Sequence, residues 1–308
     1  MKSASARKTV ESTLNAIRKR VPAYNEIADR FGPLFLEKAR LRDDLAAGKL
    51  AVPDLDLTRI AAGVPILVDA DFTPWTQEMK QSANVLLPVL ADVLQLDEKA
   101  CKALHDHLDD TENVSGLARA RIEGNWKHFE NTSVQLGIDQ STTLLYISET
   151  VFAPVFCAMV DSLGKFLTDL AWDHGYCPVC GSTPSISHLS PREVTDLDQL
   201  VGGGGKKFLH CSLCGHDWRF KRNACAACGN DDSETREVFY LDDVKYERIE
   251  ACHKCGKYCL NVDMRECEPL PHLDAIQIGL IHLDIFAHKN NLTPISPTIW
   301  NSLDEAVE

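Results

Sequence analysis

The sequence predicts a multidomain α and β chain: an N-terminal all-helical domain, then two small four-cysteine metal modules of the zinc-ribbon kind, then a C-terminal helix. Three features carry this reading. Apolar residues recur at helical spacing through the first 172 residues, where β-rich runs are sparse. Four copies of a CxxCG pattern follow: CPVCG from Cys177, CSLCG from Cys211, CAACG from Cys225 and CHKCG from Cys252. After Pro271 helical spacing returns at Leu273, Ile276, Leu280, Leu283 and Ala287. These shifts place the helical domain at 1–172, the modules at 173–222 and 223–268, and the C-terminal helix and tail at 269–308.

In the first half, Pro33 is expected to open a helix with Leu34, Leu41 and Leu45 on one face, closed by Gly48. Thr73 and Pro74 suit the cap and first turn of a helix carrying Trp75, Met79, Ala83, Leu86, Leu90, Val93 and Leu94. Pro88 should kink or split that helix. Periodic stretches continue over 100–108, 117–129 and 141–172, the last interrupted at Pro154. The helical half is expected to bury a core of its own. The apolar run VFAPVFCAMV spans only ten residues between Glu149 and Asp161, too short to cross a bilayer, and reads as a buried helix. The start, MKSASARKTVEST, is basic with no apolar run behind it, so no signal peptide is read and a cytoplasmic location is expected. In the second half, REVFYLDDVKYERIEAC reads as a hairpin turning at Asp242 and Asp243. VGGGG at 201–205 reads as a flexible hairpin tip, because the lysine and helix start of a phosphate loop do not follow it. The tail from Asn290 is expected to be loosely held.

The cysteines set the chemistry. The chain has 12, and eight of them stand in the CxxC pairs. A secreted protein spreads its cysteines as a disulfide framework; in a reducing compartment, paired CxxC units read as metal ligands or redox dithiols. One pair would not separate those two. Four pairs, each followed by glycine, favour metal: glycine accepts the left-handed conformation that turns backbone N–H groups toward the thiolates. Two such knuckles make a tetrahedral four-sulfur site. The intervals between knuckles are 30, 10 and 23 residues, so sequential pairing gives each site a hairpin-sized loop. The first set is Cys177, Cys180, Cys211 and Cys214; the second is Cys225, Cys228, Cys252 and Cys255. A cross-braced pairing is the alternative. Cys101 and Cys157 read as small buried hydrophobes; Cys259, four residues after Cys255, is a weaker candidate as a spare ligand because the pairs already supply complete sets; and His210, His216 and His253 read as neighbours rather than ligands. A structural zinc contributes on the order of 10–16 kcal/mol to so small a module. Four thiolates suit iron equally.

Charge narrows the function. The chain has a formal net charge of −13. Residues 173–268 hold 12 Lys and Arg against 16 Asp and Glu, a net of −4, and two divalent ions on eight thiolates take that to −8. Lys206, Lys207, Arg219, Lys221 and Arg222 form a local basic group, but the surrounding field opposes phosphate, so a zinc-ribbon nucleic-acid binder is the weaker reading. Closed four-cysteine sites leave no position for a catalytic water, and GxSxG, HExxH and phosphate-loop signatures are absent. Electron transfer by a four-thiolate iron is chemically open. A binding or assembly factor displaying rigid metal modules fits the composition.

The runs YCPVCGSTP, FLHCSLCGHDWRFKRNACAACGN, ERIEACHKCGKYCLNVD and LPHLDAIQIGLIHLDIFAHKN resemble the FdhE family of formate dehydrogenase accessory proteins. The resemblance covers roughly residues 172–290, with Trp218, Arg222 and the final helix in register; the first half matches in helical character and length. It implies a helical domain followed by two rubredoxin-like modules, with the eight knuckle cysteines holding two metal ions per chain, iron or zinc. It also implies a cytoplasmic, non-enzymatic maturation factor that engages the molybdenum-containing catalytic subunit of respiratory formate dehydrogenase. Neither nucleic acid nor membrane insertion is expected, and homo-oligomerisation is left open.

Overall fold

The computed structural model describes residues 5–48, 50–191 and 205–302. Among the described residues, eight α-helices precede the first knuckle: α1 (Ala6–Arg20), α2 (Asn25–Ala46), α3 (Leu57–Ala61), α4 (Thr76–Leu94), α5 (Glu98–Asp109), α6 (Thr111–Glu123), α7 (Trp126–Leu136) and α8 (Ser141–Asp169). Short polar side chains start four of them. Asp56, Asp97, Asp110 and Asn125 each accept first-turn backbone N–H groups that would otherwise lack partners.

The three prolines expected to open, split or interrupt helices lie inside continuous ones: Pro33 in α2, Pro88 in α4 and Pro154 in α8. Tertiary packing overrides their local cost. Around Pro154, Val151, Phe152, Val155 and Phe156 are fully buried, and the Ser82 hydroxyl donates to the Val151 carbonyl at 2.6 Å in the turn that the ring loosens. Before Pro33, Arg18 donates to the Ala28 carbonyl. The irregular point of α8 falls instead at Gly164 (φ 34°, ψ −107°). The periodic stretch 117–129 is two helices, α6 and α7. By length and composition α8 is long and apolar enough to cross a membrane, beyond the ten-residue run read from sequence; 67% of its most apolar stretch is buried in the protein.

The second half builds one sheet from β1 (Ile186–Leu189), β2 (Lys207–His210), β3 (Asp217–Arg219), β4 (Arg236–Leu241), β5 (Val244–Cys252) and β6 (Lys257–Asp263), with the short β7 (Thr293–Pro294) beside β6. The strand order is β3-β2-β1-β6-β5-β4. β4 and β5 form the hairpin at Asp242 and Asp243 that the sequence predicts. Of VGGGG, only Gly205 lies within the described residues. Each module supplies three antiparallel strands, and parallel pairing of β1 with β6 joins them, Ile186 opposite Leu260 through Leu189 opposite Asp263. Across this seam Lys207, 2% exposed, meets Glu250 at 2.5 Å, and Asn261 donates to Ser187 at 2.9 Å.

The C-terminal helical segment is present as α9 (Leu273–Ile276), a tighter 3-10 turn (Gln277–Leu280) and α10 (Ile281–Lys289). Leu273, Ile276, Leu280, Leu283 and Ala287 pack on Ile249, Ala251, Tyr258, Leu260 and Val262 of the sheet. α1 closes against this unit, where Arg20 pairs with Glu247 of β5. The tail beyond Asn290 is not loosely held through residue 302. β7 pairs with β6, and Trp300 packs on Phe31 (4.8 Å) and Phe35 (6.1 Å) of α2. The half-buried ring, packed on those two, offsets the entropy of a free end.

Candidate metal centres

All four knuckles fold alike. The glycine after the second cysteine has positive φ each time: 75° at Gly181, 67° at Gly215, 72° at Gly229 and 68° at Gly256. Its N–H donates back to the carbonyl of the first cysteine at 2.8–3.0 Å. In three knuckles the first cysteine's N–H also reaches the residue after glycine: Cys177 to Ser182, Cys211 to His216, Cys225 to Asn230. A side chain at these glycines would be strained whatever the space around it.

The eight sulfurs gather into two clusters, Cys177, Cys180, Cys211 and Cys214, and Cys225, Cys228, Cys252 and Cys255, the sequential pairing that the intervals predict. In the first, Sγ separations are 3.5 Å for Cys177–Cys214, 3.4 Å for Cys180–Cys211 and 3.7 Å for Cys180–Cys214. In the second, Cys225–Cys255 and Cys228–Cys252 are each 3.8 Å. Four thiolates at about 2.3 Å from one tetrahedral ion stand about 3.8 Å apart. The donor set and spacing therefore fit one metal ion per cluster. In the second cluster, burial alone would raise the Cys252 thiol, but N–H groups of Cys255 and Lys254 and the neighbouring sulfurs bring it down to about 6.

The two centres differ in surroundings. In the first, all four cysteines are at most 1% exposed and belong to the same apolar core as α4, α6 and α8. Ile66 and Leu67 of the helical half donate to the carbonyls of Pro178 and Val179 within the first knuckle, both at 2.9 Å. Cys157 of α8 rests against Gly215, and Arg121 of α6 donates to Ser182 at 2.9 Å. The helical half thus does not bury a core apart from the metal modules; it shares one with the first. The second centre lies at the surface, with Cys228 exposed and Cys255 half-buried.

A close backbone approach brings the third knuckle against the loop after α8. A Cβ at Gly175 would overlap the Ala226 carbonyl. Gly175→Ala is therefore expected to push this knuckle outward at a cost of about 1–3 kcal/mol. In a chelator competition, its second centre should release metal faster than wild type while the first is unchanged.

The neighbouring residues divide as follows. His253 is exposed and pairs with Glu237, and His216 stacks on Trp218; neither joins a cluster. His210 was expected to be a bystander but is central to a buried ion network. Its Nδ1 faces Asp217 at 2.7 Å and its Nε2 faces Asp274 at 3.2 Å. Burial would lower its pKa; the two carboxylates outweigh that and hold it at about 10. Cys259 lies inside the sheet, outside both clusters, its thiol pushed up to about 12 by burial, and burial does the same to Cys157.

A helical domain sharing its core with one of two tandem four-cysteine ribbons defines a protein with two four-sulfur sites built into its fold, each able to hold one metal ion. No family model matches the chain. An FdhE homolog from Aquifex aeolicus is 32% identical over 124 residues, 40% of this chain and 41% of the relative. One from Klebsiella pneumoniae is 28% identical over 217 residues, 64% of this chain and 63% of the relative. The crystal structure of the FdhE protein from Pseudomonas aeruginosa shares the fold, with TM-score 0.61 and 17% identity over 96% of this chain and 95% of that one. The chain is thus similar to FdhE proteins in sequence over these segments, and in fold over nearly its whole length. The matched segments span about two fifths to under two thirds of the length of these curated relatives.

Proposed function

We propose that the chain is an accessory factor in formate dehydrogenase maturation, binding the catalytic subunit of that enzyme in the cytoplasm. Its eight knuckle cysteines hold two metal ions, zinc or iron. The observation that carries this reading is the pair of closed four-sulfur clusters in a chain similar to FdhE proteins: each cluster would use all its donors on one ion, which suits a scaffold better than a hydrolytic centre. Zinc would supply fixed geometry, and iron could in addition change oxidation state without losing ligands.

The exposure of Cys228 favours a second reading, electron transfer through the surface centre, if the metal is iron. Elemental analysis of anaerobically purified protein should give two metals per chain, and a visible absorption spectrum separates iron from zinc. One metal or none would contradict the two-site account. Co-purification with the formate dehydrogenase catalytic subunit should succeed for wild type and fail for Cys225→Ser with Cys228→Ser. Capture unchanged in that variant would move the docking surface away from the second centre.

A further inference from the structure

A solvent-open groove of about 1160 Å³ runs between the end of α8 and β3, the edge strand of the sheet with no second strand partner among the described residues, and reaches Ala224 and Gly229 beside the second centre. One wall is β3, whose other side pairs with β2. The ladder fixes which way its backbone points. Cys211 donates to His216 and Phe220 donates to Lys207, with Trp218 opposite Leu209 between them. The main-chain groups of His216, Trp218 and Phe220 therefore face β2. By antiparallel alternation, the N–H and C=O groups of Asp217 and Arg219 face the groove. Such an edge is a template for an added strand.

The charges along the groove favour one sign of visitor. Asp217 is engaged by His210, and Asp161 is engaged by Arg42. Among the cations, Lys207 is committed to Glu250 and Lys221 to Asp231. Arg219 and Arg222 are exposed and have no carboxylate partner among the described residues. They stand out in a chain of net charge −13. Trp172, Trp218 and Phe220 supply apolar lining.

We infer that this groove binds an extended, acidic polypeptide segment of a partner protein as an added strand on β3, its carboxylates meeting Arg219 and Arg222. The partner's identity rests on the accessory-factor reading; the groove's chemistry does not. A nucleic-acid strand fits less well, because the outward N–H and C=O groups of β3 complement another polypeptide backbone, which a nucleic acid does not offer.

The test uses a fluorescein-labelled peptide of alternating Glu and Val, titrated by anisotropy into the full chain. Three comparison probes are an alternating Lys and Val peptide, the Glu–Val peptide N-methylated at alternate backbone nitrogens, and oligo(dT). The Glu–Val peptide should bind, weakening with salt. N-methylation, which leaves the charges intact, should weaken it about tenfold, as should Arg219→Glu with Arg222→Glu in the protein. Metal content and far-UV circular dichroism check that variant's folding, and Arg219→Gln with Arg222→Gln gives a milder second version. The inference is overturned if wild type does not bind, if the Lys–Val or N-methylated peptide binds equally well, or if oligo(dT) binds more tightly. Because the N-methylated comparison uses wild-type protein, it decides the matter even if a variant misfolds. Failure here would leave capture of the catalytic subunit by another surface standing, and success would not by itself establish that client.

Discussion

Replacing Cys177 and Cys180 by serine is expected to unfold the helical half together with the first module. Two thiolates left from four cannot hold a structural ion well, and the linked folding energy lost is on the order of 10 kcal/mol. Typical domains have only about 5–15 kcal/mol in all. The first centre is surrounded by helical core, with Val179, Leu213 and Trp218 in the same apolar cluster as Phe152 and Phe156. Opening it exposes apolar surface on both sides, and Ile66 and Leu67 lose their partners at Pro178 and Val179. Far-UV circular dichroism should show most of the helical signal lost at temperatures where wild type is folded. Cys225→Ser with Cys228→Ser should keep that signal and one metal per chain, because its cluster is at the surface. A first-centre variant with full helicity would show that the helical core stands without it.

Lys207→Met should be the most damaging single substitution outside the knuckles. Lys207 is buried on β2 and its ammonium meets Glu250 of β5 across the seam between modules. Removing one partner of a buried pair leaves an uncompensated charge and costs about 3–5 kcal/mol. Lys207→Met with Glu250→Leu removes both charges and should recover most of that loss, since an apolar pair of similar volume is often neutral or better. Chemical denaturation of both variants and wild type measures the difference. A double variant as unstable as the single one would mean that Lys207 acts through other contacts, such as its ammonium over the Phe220 ring, rather than through its pair with Glu250.

The knuckles were legible because their chemistry is local: spacing alone brings two sulfurs together, and the glycine reveals its own backbone conformation. The β4–β5 hairpin was legible for the same reason. Pro33 and Pro154 were misread because local cost says nothing of what packing returns, as at Pro154 among fully buried neighbours. The difference between centres was written in the residues inside each knuckle. Pro178-Val179 and Ser212-Leu213 give the first centre apolar side chains to bury, whereas Ala226-Ala227 and His253-Lys254 give the second small or charged ones. The role of His210 was not legible, since Asp274 lies 64 residues away and meets it only after the C-terminal segment docks.

The central claim is that one centre is part of the helical core and the other is a surface fixture. Graded chelation of the loaded protein, followed together by released metal and far-UV circular dichroism, tests this most directly. The account predicts two steps. The first equivalent of metal leaves the surface centre with the helical signal intact, and the second leaves only as that signal collapses. Release of both equivalents together, or loss of helicity with the first, would contradict it.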